Sequence, residues 1–275
     1  MVPIRLSDSI SMVGRPSLAD GRAGEIVLDL RTCLPVRPPA QPQVIPAGSE
    51  NLVVRALELL RERSDCRLGA RVELVKRIPL SSGLGGGSSD AAAALRLANR
   101  VWELNWPMER LAELAAELGS DVPFFLTGGA AICRGRGELV ERVAGMRPLH
   151  VVIVKPPNDL STAEVYRAHD SISATPHRHD ASGGLSRTIP SLAIDTRAYP
   201  GQWMLNRLQA AAASLSPWIE RLRAIFDRLD FIGHQLSGSG SAYFGVCRHA
   251  QHARRLATIL RSQQLGLVYA TRSCA

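Results

Sequence analysis

The chain has 275 residues, 45% hydrophobic and 21% charged, with no run of 18 or more apolar residues that would suit a membrane-spanning helix. Lys and Arg number 33 against 25 Asp and Glu, a net charge of +8, but lysine occurs only at positions 76 and 155 and the arginines are scattered. With no basic tail and no aromatic-interleaved stripe, that excess reads as composition rather than as a nucleic-acid surface, while still favouring a phosphate-bearing ligand.

The opening MVPIRLSDSISMV lacks the basic and then apolar segments of a secretion signal. Five cysteines, odd in number and never spaced as CxxC, argue for reduced thiols in a cytoplasm. GEIVLDL (24–30) alternates at period two, as a half-buried strand does, and a proline-rich loop follows. ENLVVRALELLRER places Leu52, Val53, Ala56, Leu57 and Leu60 on one helical face, with Asn51 as N-cap. RVELVKRIP alternates again through Val72, Leu74 and Ile78.

Next comes IPLSSGLGGGSSDAAAALRLANR (78–100), where a glycine-serine run meets a segment of strong helix formers that should be helical from Asp90 to Asn99. A helix N-terminus has unpaired backbone N–H groups and a partial positive charge, so it attracts anions. Gly83, Gly85, Gly86 and Gly87 would clear the approach of a phosphate, and Ser88 and Ser89 add hydroxyls. The GK[ST] ending of a P-loop is absent, and Ser88 stands where a dinucleotide fingerprint needs its last glycine. Anion binding and a plain flexible turn both remain open on spacing alone.

Pro107 marks a further helix start, and Leu111, Leu114, Ala115 and Leu118 form its buried stripe before Gly119. AAICRGRGELV suggests two short strands about a glycine turn, and LHVVIVKPP a fully buried strand. Ser161 to Glu164 has capping-box spacing. Residues 170–200, with His177 and His179, read as a loop whose HxH is solvated rather than metal-bound. Helices around 204–215, 217–229 and 249–263, a strand-turn-strand in FIGHQLSGSGSAYFGVC and a last strand LGLVYAT complete the chain. A domain boundary near residue 147 divides it into 1–147 and 148–275.

PLSSGLGGGSSDAAAALRLAN resembles the second motif of the GHMP kinase superfamily, a long loop around ATP's phosphates. The triple glycine, the double serine and the following Asp are similar to those of the 4-diphosphocytidyl-2-C-methyl-D-erythritol kinase family. LGSDVPFFLTGGAAICRGRGE, KPPNDLSTAEVY and LSGSGSAYFGV resemble further motifs of that family, in order along the chain.

The resemblance implies a two-domain α+β fold: an ATP-binding N-terminal domain like the second domain of ribosomal protein S5, and a ferredoxin-like C-terminal domain, with the substrate between them. It implies ATP with magnesium, a small-molecule substrate, a cytoplasmic location, and neither membrane nor nucleic acid as partner. It assigns Asp121 as the carboxylate that takes the substrate's proton; alone, this Asp would read as a helix cap or turn residue. It assigns Pro79, Leu80, Ser81, Ser82, Gly83, Leu84, Gly85, Gly86, Gly87, Ser88 and Ser89 to ATP, and Ser237, Gly238, Ser239, Gly240 and Ser241 to a loop closing over the active site. No spacing identifies a metal ligand, and none fixes the oligomeric state.

The family's opening strand and DGYH segment have no counterpart, and with them goes its catalytic lysine; Met1–Val13 resembles the strand that follows them. A late start of the chain as written is therefore expected. The alternatives are a GHMP kinase for another small alcohol, a non-catalytic nucleotide-binding relative, and an arginine-driven nucleic-acid binder.

Overall fold

The structure, a computed structural model, describes residues 1–34, 45–173 and 204–274. Two compact units divide it. Unit 1 holds Met1–Leu80, Gly85–Ala144 and Cys274; unit 2 holds Ser81–Leu84 and Gly145–Ser273.

In unit 1 the alternating segments become β1 (Ser9–Arg15), β2 (Ile26–Thr32) and β3 (Gly69–Lys76), hydrogen-bonded in the order β1-β3-β2. β1 runs antiparallel to β3 with Ser9 opposite Val75, and β2 runs parallel to it with Ile26 opposite Ala70. A parallel pair needs a crossover, and here α1 (Leu52–Arg63) makes it. Asn51 caps α1 as expected, its Oδ1 accepting from the Val53 amide at 2.9 Å. On β3, Ala70, Val72 and Leu74 point inward and Arg71 and Glu73 outward.

Three more helices follow: α2 (Gly86–Val101), α3 (Met108–Leu118) and α4 (Val122–Thr127). The hairpin of β4 (Ala131–Arg134) and β5 (Leu139–Arg142) closes the unit. Leu57 and Leu60 of α1, Ala91, Ala94, Leu95 and Ala98 of α2, and Leu111 and Leu114 of α3 share one core with Val72 and Leu74.

In unit 2 the continuous apolar run is β6 (His150–Lys155), central in a four-stranded sheet. α5 (Thr162–Ser173), α6 (Gln209–Leu215) and α7 (Pro217–Asp227) lead to the pair β7 (Gly233–Leu236) and β8 (Tyr243–Cys247). α8 (Ala250–Ser262) and β9 (Leu267–Arg272) follow. The order β7-β8-β6-β9 is antiparallel throughout, the arrangement expected of a ferredoxin-like sheet. Its core centres on Phe226, which stacks on Phe231 at 4.7 Å and meets Tyr243 edge-on.

The α+β class is as expected. Four local expectations need correction. The helix expected from about 204 begins only at Gln209, with Leu208 as its N-cap. α2 begins at Gly86, four residues before Asp90, so the glycines themselves form its first turn. Pro107 is the N-cap of α3 and not its first helical residue, with extended ψ of 157°. α5 continues to Ser173, so residues 170–173 are helical rather than loop. His177, His179 and most of the proline-rich segment lie outside the described residues.

Candidate active site

Lys76 ends β3, and nine residues separate it from α2. Gly83 and Gly85 take the left-handed conformation, φ 69° and 70°, where a Cβ is strained. Gly85 is the N-cap of α2, and the first helical bond runs from the Ser89 amide to the Gly85 carbonyl. The amides of Gly86, Gly87 and Ser88 therefore precede any intrahelical partner, the condition for holding an anion.

Three of the loop glycines have an internal reason. A Cβ on Gly83 would lie 2.0 Å from the Ser237 carbonyl oxygen, one on Gly85 2.7 Å from the Phe125 ring, and one on Gly86 3.1 Å from Ile78. The missing side chains thus make room for protein. The Ser89 hydroxyl donates to the Gly86 carbonyl at 2.7 Å, which ties it to the first turn.

Ser81, Ser82, Gly83 and Leu84 belong to unit 2, where the segment from Ser237 to Ala242 holds them. The Ser241 and Ala242 amides donate to the Ser81 and Ser82 carbonyls, and the Ser237 hydroxyl donates to the Gly83 carbonyl at 2.9 Å. Ser239 exchanges a hydroxyl bond with Thr162, and the Ser241 hydroxyl donates to the Asn158 carbonyl. Asn206 donates to the carbonyls of Leu236 and Gly238 and so fixes the turn that carries Gly238 and Gly240.

Asp121 is the N-cap residue of α4 in unit 1, yet its side chain makes no capping bond. That removes the helix-cap reading. Among the described residues no hydrogen bond or ion pair to its carboxyl is seen, and burial raises its pKa above the ordinary aspartate value. One turn along α4, Phe125 packs under Gly85, and α4 lies against α2. Asp121 and the helical end of the loop, from Gly85 onward, thus belong to adjacent helices of unit 1.

The family model described as GHMP kinases N terminal domain matches residues 51–129, and GHMP kinases C terminal matches 193–265. A 4-diphosphocytidyl-2-C-methyl-D-erythritol kinase of Pelotomaculum thermopropionicum is 42% identical over 79% of this chain and 74% of its own length. One from Exiguobacterium sibiricum is 35% identical over 92% of this chain and 83% of its own. The chain belongs to the 4-diphosphocytidyl-2-C-methyl-D-erythritol kinase family. A crystal structure of 4-(cytidine 5'-diphospho)-2C-methyl-D-erythritol kinase superposes over 100% of both chains with a TM-score of 0.70 at 29% identity.

Within this kinase family frame, the two lysines are both occupied. Lys155 donates to Asp159 and to the carbonyls of Pro156 and Asn158, each at 2.9 Å. Lys76 is buried between Asp8 and Asp90. Sequence reading missed this cluster, although the signal was there: after Ala70, Val72 and Leu74, position 76 is the next inward place on β3. It also missed Cys133 on β4, whose thiol pKa is raised mainly by burial and further by the Asp121 charge. Among the described residues no group of three or more His, Cys, Asp or Glu side chains converges as a metal site.

Proposed function

We propose that this chain transfers the γ-phosphoryl group of ATP to the 2-hydroxyl of 4-diphosphocytidyl-2-C-methyl-D-erythritol. The observation that carries the reading is the unpartnered Asp121 carboxyl on the helix that packs against the glycine loop, in a chain of this kinase family.

The amides of Gly86, Gly87 and Ser88 bind the phosphates, with Pro79 to Leu84 as the first half of the ATP loop and residues 1–147 as the ATP-binding domain. Bonds from N–H groups to a charged phosphate are about twice as strong as neutral ones. Magnesium would accompany the nucleotide, held mainly by its phosphate oxygens and by water. Asp121 accepts the proton of the 2-hydroxyl as that oxygen attacks; the new O–P bond forms while the bond from the γ-phosphorus to the ADP oxygen breaks. Phosphoryl transfer depends mainly on such positioning and charge stabilisation. Ser237 to Ser241 act by holding Ser81 to Gly83 in place. No described helix is long and apolar enough to cross a membrane. The five scattered cysteines, none spaced as CxxC, favour a reducing cytoplasm as the place of the reaction.

The test is a phosphorylation assay with ATP and the cytidyl-linked alcohol. Asp121→Asn should lower kcat by ~10²–10⁴-fold with the KM for ATP little changed. Full activity in that variant would refute the assignment. The base must be ionised, so the wild-type rate should fall with acid through a pKa above 3.8.

A further inference from the structure

Three buried ionisable side chains meet beneath the start of α2, and the proposed chemistry uses none of them. Lys76 Nζ donates to Asp90 Oδ2 at 2.6 Å and also to Asp8 Oδ2. The side chains of Asp8, Lys76 and Asp90 are 3%, 4% and 7% exposed, deep enough for charge burial to be costly. Asp8 comes just before β1, facing the end of β3 across the antiparallel pair. Its other oxygen accepts from the amides of Arg77 and Ile78, the latter at 2.8 Å.

These contacts address both ends of the glycine loop. Asp8 holds the first two residues after β3, and Asp90 lies on α2 a little over one turn from its start. Lys76 bonds to both carboxylates, so a single ammonium joins the loop's exit from the strand to its entry into the helix. Gly86 leaves room at the junction: a Cβ there would sit 3.3 Å from Lys76 Nζ and 3.1 Å from Ile78.

Two carboxylates around one ammonium are a poor source of stability. Buried ion pairs are frequently matched or bettered by apolar replacements of the same volume, and their attested use is to specify a geometry. The desolvation here is large enough to push the Asp90 pKa up to about 7. An arrangement that adds little stability yet joins the two ends of the proposed anion-binding loop is explained by what it holds in place.

We propose that Asp8, Lys76 and Asp90 are positioning residues that aim the α2 amides at the polyphosphate of the nucleotide. The proposal rests on the ATP reading of the loop and adds the residues that set the loop's geometry. They touch no substrate and act through the backbone of Arg77, Ile78 and α2.

The experiment compares the full chain with Asp90→Ala and Asp90→Asn, measuring ATP and AMP binding by calorimetry, the kinetic constants and the thermal midpoint. The asparagine oxygen can still accept from Lys76, whereas alanine cannot. Asp90→Ala should weaken ATP by about ten- to a hundredfold, leave AMP and the KM of the alcohol nearly unchanged, and be largely rescued by Asp90→Asn. Unchanged ATP affinity in Asp90→Ala overturns the proposal. Parallel losses of ATP and AMP that follow the thermal midpoint overturn it too, since they mark a structural role only. If wild type binds no ATP, the functional reading falls and this inference with it. Wild-type ATP binding with no selective loss removes the inference alone.

Discussion

Gly85 shows how one residue serves the fold and the candidate site together. Its φ of 70° is a left-handed value, its position is the N-cap of α2, and its missing Cβ admits the Phe125 ring. Gly85→Ala therefore meets two independent penalties. The left-handed backbone costs about 1–2 kcal/mol for an alanine, and the methyl group collides with an aromatic ring in the face of α4. The expected outcome is a loss of roughly 2–4 kcal/mol in denaturant unfolding, from overpacking and backbone strain combined. Phe125→Leu in the same chain should recover the packing part and leave the backbone part. A double variant no more stable than Gly85→Ala would show that the ring is not the obstacle. Asp121 is the opposite kind of residue, an N-cap whose side chain caps nothing.

At the level of elements, caps and periodicity decide what can be read from a chain. Asn51 is the capping residue of α1 in sequence and structure alike, and its carboxamide also donates to the Pro46 carbonyl at 2.7 Å. Asn51→Ala should lower stability by about 1 kcal/mol, and Asn51→Asp should retain most of it. A loss below a few tenths for alanine, measured by urea unfolding, would reject the cap. The buried strand β6 and the hairpin β4-β5 were equally legible, because apolar continuity and glycine turns are local signals. The start of α2 was not. Four glycines and serines read as a turn by propensity, yet packing of Gly85 on Phe125, Gly86 on Ile78 and Gly87 near Leu52 winds them into a helix. Tertiary contact overrides propensity there. The same holds for the site. The motif marks Asp121 and the loop, but Asp8 lies 68 residues from Lys76, and no periodicity within either segment says that they meet.

At the level of the whole molecule, two cores form one in each unit, and stability is tuned by groups buried against their preferred charge state. His150 and His234 have pKa values lowered mainly by burial. Their contributions are therefore lost on acidification below the ordinary histidine range. Asp90 has the opposite sign. Its carboxyl moves from 3.8 up to about 7, chiefly because burial disfavours the charge, with Lys76 opposing that shift and Asp8 adding to it. The native state keeps a proton that the unfolded chain releases above pH 3.8, so this contribution is intact below that value and erodes as pH rises to about 7. Asparagine at position 90 mimics the protonated carboxyl at every pH. The histidines are common to both proteins and cancel in the difference. Asp90→Asn should therefore match wild type near pH 4, gain on it steadily as pH rises, and level off above pH 7 at roughly 2–4 kcal/mol more stable. Chemical denaturation of the two proteins across that range measures the difference. A constant offset, or an advantage that shrinks toward alkaline pH, would mean that Lys76 holds Asp90 ionised in the folded chain.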